Sequence, residues 1–210
     1  MYTPATYAVK DRSVIEEFVR ENNFATLVSY DGARPIATHI PLELERRENL
    51  YLQGHIARVN PQWQSFRADS EILAIFAGAH SYISPRWYSH LNVPTWNYMS
   101  AHLYGFPRLI EDRDELLAML KRLVDRYEAG VANPSYQIET LPTEFLEKEL
   151  HGIVGFEIRV ERMEASFKLS QNRNSKDFEN IIAELENRND AHSKAIAEAM
   201  REHRPHWLKK

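Results

Sequence analysis

YISPRWYSHLNVPTWNYMSAHLYG, residues 82–105, is the stretch around which the rest of the chain is organised. It holds two of the four tryptophans, Trp87 and Trp96, and four tyrosines, interleaved with Ser84, Pro85, His90, Pro94, Thr95, Asn97 and His102. Aromatic faces mixed with short polar groups suit a flat ligand that is partly apolar and partly hydrogen-bonding. The two prolines fix φ and oppose a helix through the first half. From Thr95 onward Trp96, Tyr98, Ser100, His102 and Tyr104 alternate with Thr95, Asn97, Met99, Ala101 and Leu103, which is the period of a strand. An irregular aromatic loop is therefore expected to lead into a long strand. On composition alone, the plainer reading is a loop whose aromatics plug one end of a barrel core.

Upstream of this stretch, residues 11–22 read as a helix. Ser13 and Glu16 spell a capping box, and Val14, Ile15, Phe18 and Val19 form one apolar stripe. Residues 24–30 are a strand, Asp31-Gly32 is a hairpin signal, and residues 35–45 are the return strand. There Ile36, Thr38, Ile40, Leu42 and Leu44 share one face, while Ala37, His39, Pro41 and Glu43 share the other. His39 thus points away from the apolar row, and taken alone it is a solvent-exposed side chain. Residues 50–56 form the next strand. Asn60 is suited to cap a short helix with Pro61 at its first position and Trp63 and Phe66 as anchors. Residues 71–78 are an apolar strand, expected to be buried on both faces.

Downstream, residues 112–129 form an amphipathic helix that starts at Asp112 and stops at Gly130. Residues 131–150 read as a loop and a short helix capped near Thr143, and residues 152–165 as a strand. Ser175 caps a helix to Glu186, and a second polar helix covers residues 190–202 before the basic tail HRPHWLKK. Helices at both ends of roughly six strands predict a mainly β fold with helices, a small β-barrel carrying peripheral helices. The expected division is one domain over residues 1–188, with a C-terminal helix and basic tail over 189–210.

The composition is that of an ordinary globular protein of 210 residues, with a formal net charge of -4. There is no cysteine, which excludes disulfides, thiolate metal sites and cysteine nucleophiles. No apolar run has the length of a membrane span, and the first residues lack the apolar core of a secretory signal, so a cytoplasmic location is expected. With seven glycines, the chain contains neither G-x-G-x-x-G nor a P-loop, and G-x-S-x-G and H-E-x-x-H are also missing. His203 and His206 flank Pro205, which spoils a helical ligand pair, so no metal site is expected. A phosphate would have to be held by side chains. Arg58, just before a helix start, and Lys168, in KLSQNR with no acid nearby, are the candidates. A solvated surface charge is the plainer reading of each.

ARPIATHIPLEL, GHIARVNPQW, YISPRWY, VPTWNY and KLSQNR, in that order, resemble the PaiB family of FMN-binding negative transcriptional regulators, linked by name to protease production (protease synthase) and sporulation. The resemblance runs over nearly the whole chain and becomes uninformative beyond about residue 189. It implies a six-stranded FMN-binding split β-barrel, usually a homodimer with FMN in a groove between subunits. Carried over, Thr38, His39, Ile40 and Pro41 would line the flavin. His55, Arg58 and Asn60 would lie near it, the last two close to the phosphate. Ser84, Pro85 and Trp87, with Thr95, Trp96 and Asn97, would flank the ring. Lys168, Ser170 and Gln171 would close the site.

The leading expectation is a flavin-binding repressor, with enzyme activity left open. The sequence shows no helix-turn-helix, so a DNA or regulatory protein partner is not visible in it. The alternative is an FMN-dependent oxidoreductase with His39, His55 or His102 for acid–base work, followed by a haem-binding barrel.

Overall fold

The structure is a computed structural model that describes residues 1–131 and 136–205. The end of the basic tail, residues 206–210, lies outside the described residues, as does part of the expected loop at 132–135. In chain order the elements are β1 (Ala8–Val9), α1 (Arg12–Glu21), β2 (Phe24–Tyr30), β3 (Pro35–Pro41), β4 (Glu43–Arg46), β5 (Leu50–Ala57), β6 (Ile72–Ile83), β7 (Thr95–Ile110), α2 (Arg113–Glu128), α3 (Thr143–His151), β8 (Ile153–Lys168), α4 (Ser175–Glu186) and α5 (Ala191–Glu202). Short 3-10 turns cover Pro61–Ser65, Pro85–Trp87 and Ile138–Thr140. The strands are hydrogen-bonded in the order β3-β2-β6-β7-β8-β5-β4, with β1 added to β8, and this path does not close on itself. This is the split-barrel class.

The described residues hold eight strands rather than about six, for two local reasons. The return strand divides at Leu42 into β3, paired with β2, and β4, paired with β5, although the Leu42 N–H still donates to the Asn23 carbonyl at 2.9 Å, one step beyond the Phe24–Pro41 pair. Ala8 and Val9 also pair with Ser166 and Ala165. Three further differences are equally local. Asp11, not Ser13, caps α1, accepting from the Ser13 N–H at 2.9 Å. Asn174, not Ser175, caps α4, accepting from the Asp177 N–H at 2.9 Å. On β6, Ile72, Ala74 and Phe76 are buried while Leu73 and Ile75 are only half-buried, so one face is interior rather than both.

The chain forms two compact units. The first comprises Met1–Asn22, Phe76–His102 and the described part of Met163–Lys210. In it the Phe18 ring of α1 meets Phe167 with centroids 5.0 Å apart. Helices α4 and α5 pack on each other. Phe178, Ile181, Ile182, Leu185, Ile196 and Met200 are fully buried, so α5 carries an apolar stripe where a polar helix was expected. Each such side chain contributes about 1.5–3 kcal/mol by leaving water.

The second unit comprises Asn23–Ile75 and Leu103–Arg162. Its β2–β3 hairpin pairs Thr26 with His39 and Leu27 with Thr38. Strand β5 runs antiparallel to both β4 and β8. Ile110, Leu116, Met119 and Leu150 form the core beneath α2 and α3. Gly105 is needed where β7 meets β8, because a Cβ there would stand 2.0 Å from the Arg159 carbonyl oxygen. The buried Gln62 amide donates to the Leu27 carbonyl at 3.0 Å and to Ser29 Oγ at 3.1 Å, holding the Pro61–Ser65 turn on β2.

Candidate functional site

The sequence candidates fall into two groups, one in each unit. In the second unit, Asn60 caps the turn by accepting from the Gln62 N–H at 3.0 Å, and its Nδ2 donates to Thr38 Oγ1 at 2.9 Å. That bond clamps the turn to β3. His39 is exposed, as its face predicted. Its Nδ1 lies 3.0 Å from Thr26 Oγ1, and its ring stacks on Phe24 at 6.5 Å. Ile40 is buried. Pro41 and His55 line a cavity of about 30 Å³ beside Gly54 and Met119, which has room for a water and not for a flavin ring. Burial pushes the His55 pKa below its ordinary 6.5, which favours the neutral imidazole. Arg58 is exposed, but its Nε and Nη2 donate to the carbonyls of His151 and Ile153, both at 2.7 Å. It is therefore committed to the main chain on two of its donors.

In the first unit, Ser84 caps the Pro85–Trp87 turn. Trp87 lies beneath the Arg188 guanidinium, 4.8 Å from its ring centre. Trp96 is 52% exposed and is flanked by Tyr82 at 5.9 Å and His80 at 6.1 Å. The structure brings residues of VPTWNY and KLSQNR together. Lys168 Nζ donates to Thr95 Oγ1 at 2.5 Å, and Ser170 Oγ donates to Asn97 Oδ1 at 3.1 Å. Asn97 is fully buried and directs its other amide atom at Met200 Sδ, 3.5 Å away, so it stands behind the polar patch and positions Ser170. Ser170 adopts φ +61°, a left-handed conformation uncommon outside glycine. Gln171 holds that turn, accepting from the Leu169 N–H at 2.7 Å and donating to the Phe167 carbonyl. Among the described residues no carboxylate pairs with Lys168. Burial, and then the charge of Arg173, pushes its pKa below the ordinary value.

Sequence reasoning missed one oriented side chain here. Asp177 is fully buried, accepts from the Ser89 N–H at 2.7 Å and holds His90 Nδ1 at 3.0 Å. Burial alone would raise its pKa, but the Ser89, Asn174 and His90 contacts outweigh this and lower it. An Asp–His pair with this separation in sequence has no local signature.

Residues 1–162 match the family model described as "Putative FMN-binding domain". The chain is 44% identical, over 95% of its length and 96% of the relative's, to the protease synthase and sporulation protein PAI 2 of Bacillus subtilis. The chain belongs to the PaiB family. The match to the FMN-binding model takes in the β3 and Asn60 candidates and the aromatic stretch, and it stops before Lys168. Among solved structures, the FAD and heme binding protein of Mycobacterium smegmatis superposes with a TM-score of 0.58 at 16% identity, covering 77% of this chain and 73% of that one. The flavocytochrome Anf3 of Azotobacter vinelandii gives 0.57 at 15% identity, covering 77% and 69%. These likenesses place the PaiB chain in the split-barrel fold.

Proposed function

We propose that this protein is an FMN-binding negative transcriptional regulator of the PaiB type. The observation that carries the reading is the pair of bonds from Lys168 to Thr95 and from Ser170 to Asn97, because they assemble two motifs of the resemblance into one polar patch. The residues present fit the cofactor. Lys168 is a cation with no carboxylate partner among the described residues and is suited to a phosphate, and the exposed Trp96 ring offers a flat apolar face. In this proposal Thr95, Trp96, Lys168, Ser170 and Gln171 contact the flavin. Ser84, Pro85, Trp87 and Asn97 support it within the same unit, and Thr38, His39, Ile40, Pro41, His55, Arg58 and Asn60 are the flavin candidates that the second unit carries by the resemblance. FMN supplies redox chemistry when bound. The open surface made by His39 and Phe24, the latter 67% exposed, supports a homodimer that covers it. No helix of the described residues is long and apolar enough to cross a membrane, and a cytoplasmic regulator is the matching proposal.

A second reading, an FMN-dependent oxidoreductase, has the Asp177–His90 pair in its favour, since a buried carboxylate on Nδ1 orients the ring, and Nε2, 3.2 Å from Asn92 Nδ2, would exchange that bond for a substrate's to transfer a proton. Stopped-flow reduction of the FMN-loaded protein by NADH or NADPH without oxygen separates the two. The regulator reading expects reduction well below the median enzyme rate of roughly 10 per second. Fast reduction that saturates with nucleotide would put the oxidoreductase first.

A further inference from the structure

A cavity of about 540 Å³ lies wholly within the second unit, lined by the end of β7, α2, α3 and the start of β8, and it contains none of the residues assembled around Lys168. Its size is that of a small-molecule pocket. Its walls are tied to one another. The Arg58 main-chain N–H donates to the Gly152 carbonyl at 2.8 Å, the Arg58 side chain donates to the His151 and Ile153 carbonyls, and the Trp63 indole N–H donates to the Arg58 carbonyl at 3.0 Å. Arg113 Nε of α2 donates to Glu147 of α3 at 2.9 Å. The cavity is therefore formed before any ligand arrives, which lowers the cost of binding.

The floor is apolar. Leu109 and Ile153 are half-buried, and the buried Leu116 and Leu150 complete it. Trp63 adds carbon surface, because its N–H is already spent. The rim carries Arg58, Glu111 and His151, all exposed and so within reach of a ligand. Arg58 has used two of its five N–H donors, and among the described residues no carboxylate pairs with it. Glu111 likewise has no cation partner among the described residues. His151 Nδ1 lies 2.7 Å from the Glu147 carbonyl, which puts the proton of the neutral ring on Nδ1 and leaves Nε2 to accept. The remaining rim charges, Arg113 and Glu147, neutralise each other.

One unspent cation and one unspent carboxylate above an apolar floor discriminate between ligands. A simple anion gains Arg58 but meets Glu111, and a simple cation meets the reverse. A zwitterion serves both: its carboxylate accepts from Arg58, its ammonium donates to Glu111 and to His151 Nε2, and its body covers the floor.

We propose that this cavity binds a zwitterion with an apolar body, either an apolar α-amino acid or a dipeptide of such residues. The two carry the same charged ends and differ in length. The proposal gives Arg58 a ligand other than the flavin to which the resemblance assigns it, and it does not require that FMN bind.

The test is calorimetric titration of the full chain with L-leucine and with the dipeptide Leu-Leu, using L-serine as a polar zwitterion and N-acetyl-leucine as an apolar anion. Saturable binding of leucine or dileucine is expected, about tenfold or more tighter than either control. Glu111→Gln keeps the shape of an exposed side chain that holds nothing in the fold. It should weaken the zwitterion about tenfold and leave N-acetyl-leucine unweakened. Arg58→Gln should weaken both, and Glu111→Gln carries the test even where the Arg58 variant fails to fold. Tighter binding of leucine names the amino acid as the ligand, and tighter binding of dileucine names the dipeptide. Binding beside saturating FMN would support a separate site. Binding in a protein that takes no FMN would keep the site and remove the flavin reading alone. Competition with FMN would overturn the proposal, since the cavity would then belong to the flavin. No binding of either ligand at millimolar concentration, equal zwitterion binding by Glu111→Gln, or N-acetyl-leucine binding as tightly as leucine would overturn it as well.

Discussion

Lys168 and Arg58 were equal candidates as phosphate partners in the sequence, since each is a lone cation near hydrogen-bonding neighbours. Their surroundings separate them. Arg58 gives two donors to main-chain carbonyls, whereas Lys168 gives one to the Thr95 hydroxyl and has two N–H groups left to direct at a ligand. Lys168→Ala is expected to weaken FMN by about 1.5–3 kcal/mol, roughly 10- to 150-fold, and riboflavin by much less. Arg58→Ala is expected to discriminate less between the two ligands, because part of its effect is loss of the ties to His151 and Ile153. Parallel fluorescence titrations with both ligands check this, and equal losses for FMN and riboflavin in Lys168→Ala would remove the phosphate role. The positive φ of Ser170 had no trace in the sequence, because it depends on the bond from its hydroxyl to Asn97 as well as on the Gln171 turn.

At the scale of elements, periodicity located the long features and left the ends to local competition. The alternation after Thr95 found β7, and the Leu116–Leu120–Leu123 stripe found α2, because each pattern runs for many residues. The wrong caps at Ser13 and Ser175 have a common cause. A better acceptor, Asp11 or Asn174, stood one or two residues earlier and won the first free N–H groups. The break at Leu42 was invisible because the apolar alternation continues unbroken through it.

Strand β8 carries a titratable feature that sequence could not reveal. Glu157 is buried and accepts from Arg47 at 2.8 Å, Arg108 at 2.9 Å and Gln53 at 3.2 Å. Burial alone would raise its pKa, but these partners together hold it below the ordinary 4.5. A depressed folded pKa means that the carboxylate stabilises the fold above pH 4.5, and that this stabilisation is lost as pH falls through the lowered value. Glu157→Gln is expected to cost on the order of 1–3 kcal/mol at pH 7. The gap to the unsubstituted protein should narrow as the pH drops below 4.5. Urea unfolding at pH 7 and at low pH measures it, and a gap that stays constant across that range would mean the charge is not what Glu157 contributes.

At the scale of the molecule, each unit carries its own set of candidates, which is why no single motif announced a site. The outward face of β3, with His39 stacked on Phe24, is expected to be covered in a homodimer of the 24.6 kDa chain. Sedimentation equilibrium should return twice that mass, and His39→Glu should shift the protein toward monomer. A monomer at every concentration would remove the dimer.

The central claim is that the chain holds FMN, and the most direct measurement is titration of the purified protein with FMN while flavin fluorescence and the visible spectrum are followed. The account predicts saturable quenching at micromolar protein, a flavin spectrum without a haem band, and weaker binding of riboflavin than of FMN. Fluorescence that rises linearly with added FMN, with no saturation, would contradict it.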